Sequence, residues 1–248
     1  MKAEKTQKGN PHRLSFWQHV FPARSIERFA GQDGKIAVKH RRSSGEFRIS
    51  PHDKLFCAER RWDQRSEFGY MKHIEGEFQN LADEIIGGLR SLNEQQSRVA
   101  TRFLALWSSR FQQRHNPTPD RHIRGVVEEG LSKDDEERLE SKWTGFVRAD
   151  QMMSGRTIAG LQIQMNIDQV DTHFQGVRWG VLTALQGEFV LPDTFEKRAA
   201  IPLTPTICLV MGYGDAAISN DGTTILNRFA VEAAKDYYVA RDLSRCPL

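Results

Sequence analysis

A change in the period of the apolar residues constrains this chain more than any other feature of its sequence. Ile74, Phe78, Leu81, Ile85 and Ile86 recur at three- and four-residue spacing, and so do Val99, Phe103, Leu106 and Trp107. That spacing lines one face of an α-helix. Gly87-Gly88 ends the first helix. The second runs from about Asn93 to His115 and stops at Asn116-Pro117-Thr118-Pro119, because proline lacks the N–H and crowds the preceding turn. Arg121 to Glu129 reads as a further helix. Ser132-Lys133-Asp134-Asp135 gives an acidic start to another through about Trp143, and Ile158, Leu161, Ile163, Met165, Ile167 and Val170 support one more before Gly176. From Arg178 the period shortens. Arg178 to Leu185, Gly187 to Leu191 and Ile207 to Met211 read as short apolar strands between Gly and Pro turns. A last helix, capped by Asp221 or Thr223 with Ile225, Phe229 and Ala233 inward, precedes a closing strand at Tyr237-Tyr238-Val239.

The first part of the chain is organised differently. Residues 1–12 are polar and basic and read as a disordered tail closed by the turn-forming Asn10-Pro11. Arg13 to Pro22 is extended, with Trp17, Val20 and Phe21 as its apolar members. Pro22 then suits the first turn of a short helix through Phe29, with Ile26 and Phe29 on one face and Arg24 and Arg28 on another. Gly34 to His40 and Glu46 to Ser50 alternate around Arg41-Arg42-Ser43-Ser44-Gly45, the pattern of a β-hairpin. The expected fold is therefore α+β. A helix-rich middle lies between an N-terminal part containing a β-hairpin and a small C-terminal antiparallel or mixed sheet, and the two terminal parts share one sheet. A chain of 248 residues can bury a substantial core, and residues 13–248 are expected to form a single domain.

Several function classes are excluded or made remote by composition. No stretch approaches 18 uninterrupted apolar residues, so no spanning helix is expected. The first residues have no apolar centre and do not make a secretory signal, so the expected location is the cytoplasm. Cys57, Cys208 and Cys246 are too few and too scattered for a disulfide framework. The net charge of +3 is unevenly placed, with Lys and Arg in excess over the first 75 residues and Asp and Glu in excess after them. His12, His19, His40, His52 and His73 fall in that basic part. Its field suits phosphate or nucleic acid, while the plain alternative is a solvated surface. The chain has no phosphate-binding Gly loop, dinucleotide turn, His-Glu-x-x-His pair or nucleophile elbow. Arg110 and His115 are spaced as in the motif of the HEPN ribonucleases. They also close a helix, where positive side chains complement exposed carbonyls.

The block from Gln18 to Phe29, with His19-Val20-Phe21-Pro22 followed by a short helix ending in Arg28-Phe29, resembles the His-Tyr-Val-Pro signature of the bacterial domain-of-unknown-function family 4238. The resemblance continues through a Gly34-Lys35-Ile36 hairpin, Ile74-Glu75, Phe103-Leu104-Ala105-Leu106-Trp107, and Phe189 to Thr194 followed by Ile201 to Pro205. Where that family commonly has Ser-Asp-Asn-Pro, this chain keeps Asp193 but has Pro192, Thr194 and Phe195 around it. The family implies no assigned activity. On chemical grounds His19 can titrate near neutrality, and Glu75 and Asp193 supply carboxylates. Arg24 and Arg28 offer forked donors for a phosphate, and Asn227 can face the same site. Together they suit general acid–base hydrolysis of nucleic acid or a phosphorylated substrate, with His19, Glu75 and Asp193 catalytic, and they leave a divalent metal open. The alternatives are a buried polar network that pins the chain, a non-catalytic module binding polyanions through the basic hairpin, and a structural partner-binding protein. The sequence names no cofactor and no oligomeric state.

Overall fold

The computed structural model describes residues 3–42, 45–126, 130–195 and 199–248. In chain order its elements are β1 (Trp17–His19), α1 (Ala23–Glu27), β2 (Ile36–His40), β3 (Glu46–Ile49), β4 (Cys57–Glu59), α2 (Gln64–Ser66), α3 (Lys72–Ile86), α4 (Glu94–His115), β5 (Arg121–His122) and α5 (Lys133–Ser141). They continue with β6 (Met152–Met153), α6 (Gly155–His173), β7 (Trp179–Ala184), β8 (Leu191–Pro192), β9 (Ala200–Thr204), β10 (Ile207–Met211), β11 (Ala216–Ile218), α7 (Asn220–Ala233) and β12 (Tyr237–Ala240). A π-helical turn, Glu67–Met71, joins α2 to α3. The fold is α+β.

Two four-stranded sheets flank the helices. The first runs β3-β2-β12-β8 with antiparallel pairs, setting Tyr237 opposite His40 and Val239 opposite Val38. The N-terminal hairpin and the last strand thus share a sheet, as the two apolar-alternating ends require. The second runs β11-β7-β10-β9 and is mixed, because β11 lies parallel to β7. Short pairs β1–β4 and β5–β6 complete the pairing among the described residues.

Capping chemistry explains the long helices. Asn93 and Gln96 form a reciprocal capping box at the start of α4, and Ser132 and Asp135 do the same for α5. Between the sheets the apolar faces of α3 and α4 meet. Phe78 and Phe103 stack with ring centres 3.6 Å apart, and Phe21 lies 4.6 Å from Trp107. The buried apolar residues form one continuous cluster from Val20 to Cys246. No helix among the described residues is long and apolar enough to cross a membrane.

Four local expectations are corrected. Residues 3–12, read as a disordered tail, are docked: Gln7 bonds Glu137 and Asp134, and His12 bonds Asp134 at 2.8 Å. A polar segment was read as disordered because the acids that hold it lie about 130 residues away in the chain. The helix expected over Arg121 to Glu129 is absent over its described residues. Arg121 and His122 pair instead with Met153 and Met152, and residues 127–129 lie outside the described ones. In the expected strand Gly187 to Leu191 only Leu191 is ladder-paired. The Asn227 amide takes the Val190 N–H at 3.0 Å and the Glu188 carbonyl at 2.8 Å, and the Phe189 N–H goes to Pro205. Ser219, two residues earlier than expected, caps α7. The buried stripe of that helix is Thr223, Asn227, Ala230 and Ala233, while Ile225 is 53% exposed. Small residues win that face because they let α7 approach β8 closely.

Truncating Phe103 removes a ring stacked on one side and met edge-on by Phe21 on the other. Phe103→Ala is expected to cost about 3–5 kcal/mol in urea denaturation, the range for a fully buried aromatic. A loss below about 1 kcal/mol would contradict this packing.

Candidate functional site

Pairing of β1 with β4 sets His19 opposite Cys57, within reach of the charge of Glu75 at the start of α3. The ring lies near the Pro51 carbonyl, which favours its protonated form, and 6.4 Å from the His52 ring, edge-on. Its Nε2 is buried and has no hydrogen-bond partner. Burial pushes the His19 pKa below 6.5, with a smaller push from His52. The Glu75 charge opposes them, and Arg110 adds to them. The ring is neutral at pH 7.

Beside His19 lies a buried cation. Arg110 of α4 is 2% exposed and donates to Glu75 of α3 and, at 3.4 Å, to Glu67. Its guanidinium sits over Trp62 at 5.2 Å, and the Trp62 indole N–H donates to Glu67. The π-helical turn is the device that places Glu67 there. It adds a residue between α2 and α3, and Gly69 within it takes a non-helical ψ of −116°. Burial raises the Glu67 pKa, and Arg110 offsets part of that rise. Glu75 is a quarter exposed, so the cluster reaches solvent at its rim, where His52 pairs with Glu27 at 3.0 Å.

The structure thus gathers His19 and Glu75, and engages the other expected residues elsewhere. Asp193 accepts the backbone N–H groups of Lys235, Asp236 and Tyr237 at 2.9, 2.7 and 3.4 Å, and its own carbonyl takes the Trp107 indole N–H. Burial raises its pKa despite those three donors. Arg24 and Arg28 share the Asp83 carboxylate of α3 at 2.6 and 2.9 Å. Two like charges four residues apart repel, and Asp83 is the anion between them. Asn227 is buried and joins the Glu188–Val190 segment to the Pro247 carbonyl. Gly187, at φ +76°, is needed there, because a Cβ would meet Pro247 at 2.8 Å. His115 bonds Asp236 at 2.9 Å, away from the Arg110 ion pairs. In the hairpin, Lys39 pairs with Glu46 and Arg48 with Asp33.

A second charged cluster was not anticipated. Lys133, Arg148 and Arg156 converge on the carboxylate of Glu4, in a cleft of about 480 Å³ that Arg60, Thr118 and Gly155 also line. Desolvation works against the Glu4 carboxylate, but the three cations win and hold its pKa at about 2. Its members come from five separate segments, so no spacing in the sequence could have marked it. The only local hint was Arg60-Arg61 beside Trp62. Among the described residues no three His, Cys, Asp or Glu side chains converge as metal ligands.

Two substitutions separate scaffold from site. Asp193→Ala strands three backbone N–H groups and is expected to cost about 3–5 kcal/mol, seen as a large fall in melting temperature. Arg28→Ala leaves Asp83 half exposed and still paired with Arg24, so about 1 kcal/mol is expected, and a loss of 3 or more would show that the pair is far less solvated than this. Searches of protein families, curated proteins and solved structures give no match to this chain.

Proposed function

We propose that this protein is a hydrolase of phosphate esters, acting on nucleic acid or a phosphorylated small molecule, with His19 as general base. The observation that carries the reading is the Nε2 of a buried, neutral imidazole that has no hydrogen-bond partner among the described residues. A buried polar atom without a partner costs stability, and such atoms concentrate where chemistry uses them. A neutral imidazole can take a proton from an attacking water. Arg110 beside it is charge-paired with Glu75 and Glu67, which keep it buried and oriented, and what it can offer a phosphoryl oxygen is its unpartnered Nε–H. Reaching Nε2 requires movement at the rim, where the His52 side chain is 65% exposed, paired with Glu27 and edge-on to the His19 ring.

On this reading Asp193, Arg24, Arg28 and Asn227 support the fold, and the His19-Val20-Phe21-Pro22 block resembling family 4238 supplies the base. The polyanion-binding alternative draws less support, since the hairpin cations Lys39 and Arg48 are neutralised by Glu46 and Asp33.

The test is turnover of p-nitrophenyl phosphate, bis-p-nitrophenyl phosphate, single-stranded RNA and single-stranded DNA, each with and without magnesium. Activity on at least one is expected, with its acid limb below pH 6.5 because the His19 pKa is lowered. His19→Gln is expected to reduce the rate by about 10²–10⁴. The linkage sign gives a second readout. The folded-state pKa lies below the unfolded one, so protonation favours unfolding and stability falls as pH drops below 6.5. His19→Gln should remove that part of the pH dependence. No turnover of any substrate, or full activity in the variant, overturns the reading.

A further inference from the structure

We propose that Lys133, Arg148 and Arg156 form a recognition site for an oxyanion with a single charge and two equivalent oxygens, and that Glu4 occupies it as a tethered stand-in for an external ligand. This does not rest on the His19 reading. Both Glu4 oxygens are met by donors from separate elements. Lys133 Nζ and Arg148 Nη2 reach Oε1, the latter at 2.9 Å. Arg148 Nη2 at 3.0 Å and Arg156 Nη1 reach Oε2.

These donors are held in place without Glu4. The fork of Arg148 is fixed on Glu136 by two bonds of 2.8 and 2.9 Å. Arg156 is fixed on Glu140 by its Nε at 3.0 Å, with Nη2 in ion-pair contact at 2.8 Å but out of hydrogen-bond geometry, and Lys133 lies 3.6 Å from Glu137. Arg60, 1% exposed in its side chain, bonds Glu140 at 2.8 Å and keeps its Nε unpartnered in the wall of the cleft. A site whose donors are pre-placed by second partners loses little entropy when an anion arrives.

Charge selects the class of ligand. Four cations, Lys133, Arg60, Arg148 and Arg156, face three acids, Glu136, Glu137 and Glu140, whose side chains are 9%, 0% and 6% exposed. Asp120 stands further off, 3.7 Å from Arg148 and 45% exposed, with an oxygen engaged by the Gly155 N–H. Arg61 also lines the cleft and balances Asp120, so one positive charge is left for the Glu4 position. A monoanion neutralises it, whereas a dianion leaves excess negative charge beside three buried carboxylates. A carboxylate or a phosphodiester is matched, and a phosphate monoester is not. The segment bearing Glu4 is held besides by polar contacts, Gln7 and His12 on α5 and an Arg60 bond to the Glu4 carbonyl, and none of residues 3–12 belongs to the buried apolar cluster, so its release breaks ion pairs and hydrogen bonds rather than core packing.

The test compares the full chain with its Glu4→Ala and Glu4→Gln variants, titrated with sodium acetate, dimethyl phosphate and inorganic phosphate at fixed ionic strength and at pH 8.5, where inorganic phosphate is a dianion, by calorimetry and thermal melting. Both variants are expected to melt below the unmodified chain and to recover with acetate or dimethyl phosphate, each binding about tenfold tighter than to the unmodified chain, where the tethered carboxylate competes. Stronger rescue by acetate assigns a carboxylate ligand, and stronger rescue by dimethyl phosphate assigns a phosphodiester. Equal or stronger rescue by inorganic phosphate overturns the charge match. Absence of binding by any anion to either variant overturns the site, and equal affinity in variants and unmodified chain overturns Glu4 as its occupant.

Discussion

Burial of the Arg110 guanidinium organises the centre of this protein. A cation cannot be taken out of water without partners, and removing one partner of a buried pair costs several kcal/mol. Arg110 therefore dictates where its neighbours go. Glu75 must come from the first turn of α3, Glu67 from the π-helical turn before it, and Trp62 must lie flat beneath the guanidinium. Each requirement fixes a different segment against α4. The segment carrying Trp62 is in turn joined to β1, since the Gln18 side chain bonds the backbone of Arg61 and Trp62. That is how a charge on the middle helix sets the place of His19, two residues before Phe21 enters the aromatic core.

The aromatic packing and the ion pairs divide the work. Phe21, Phe78, Phe103 and Trp107 supply the non-directional burial that holds α3 on α4, while Arg110 and its acids set their register. At the other end of the molecule Glu188 plays the complementary part. Fully buried, it pairs with Arg241 and Arg245 and so ties the C-terminal residues over α7. The chain ends are held by charge on both sides of the core, Glu4 by three cations and the final turn by one acid.

Periodicity made much of this legible. The helices α3 and α4 and the strands β7, β10 and β12 follow from apolar spacing and from Pro and Gly stops, because for them local pattern and tertiary burial agree, whereas α6 forms where expected but leaves Leu161 and Met165 exposed and buries Ala159, Ile163 and Ile167. The expectation failed where long-range partners decide. Phe189 and Val190 look like strand residues, but the Asn227 side chain and the Pro205 carbonyl take their backbone groups. Residues 3–12 look disordered until α5 is folded beside them. Of the candidate site, His19 with Glu75 was readable as a possible meeting of segments. The Glu4 cluster was not, since ion pairs between residues more than a hundred positions apart leave no spacing to detect.

An unpartnered buried atom is not by itself the mark of a site in this molecule, since Arg28 Nη1, Gln79 Oε1, Arg102 Nε and Thr194 Oγ1 lack partners as well, and what singles out His19 is a titratable ring beside Arg110 and Glu75. Asp193 accepts three backbone donors, Asn227 uses both its oxygen and its amide, and Asp83 is shared by two arginines. Each does what a folded chain needs of it and leaves nothing over. His19 keeps Nε2 without a partner, although a partner there would have stabilised the fold. The cradle around Glu4 keeps one positive charge more than its fixed acids can neutralise, and meets it with a residue from a displaceable segment. Selection for stability alone would be expected to close both gaps, by a hydroxyl opposite Nε2 or by an acid on a helix facing Arg156. Their persistence at a titratable ring beside Arg110 and Glu75, and in a cleft of fixed cations, is the physical reason to look for chemistry at His19 and for a ligand at Arg148 and Arg156.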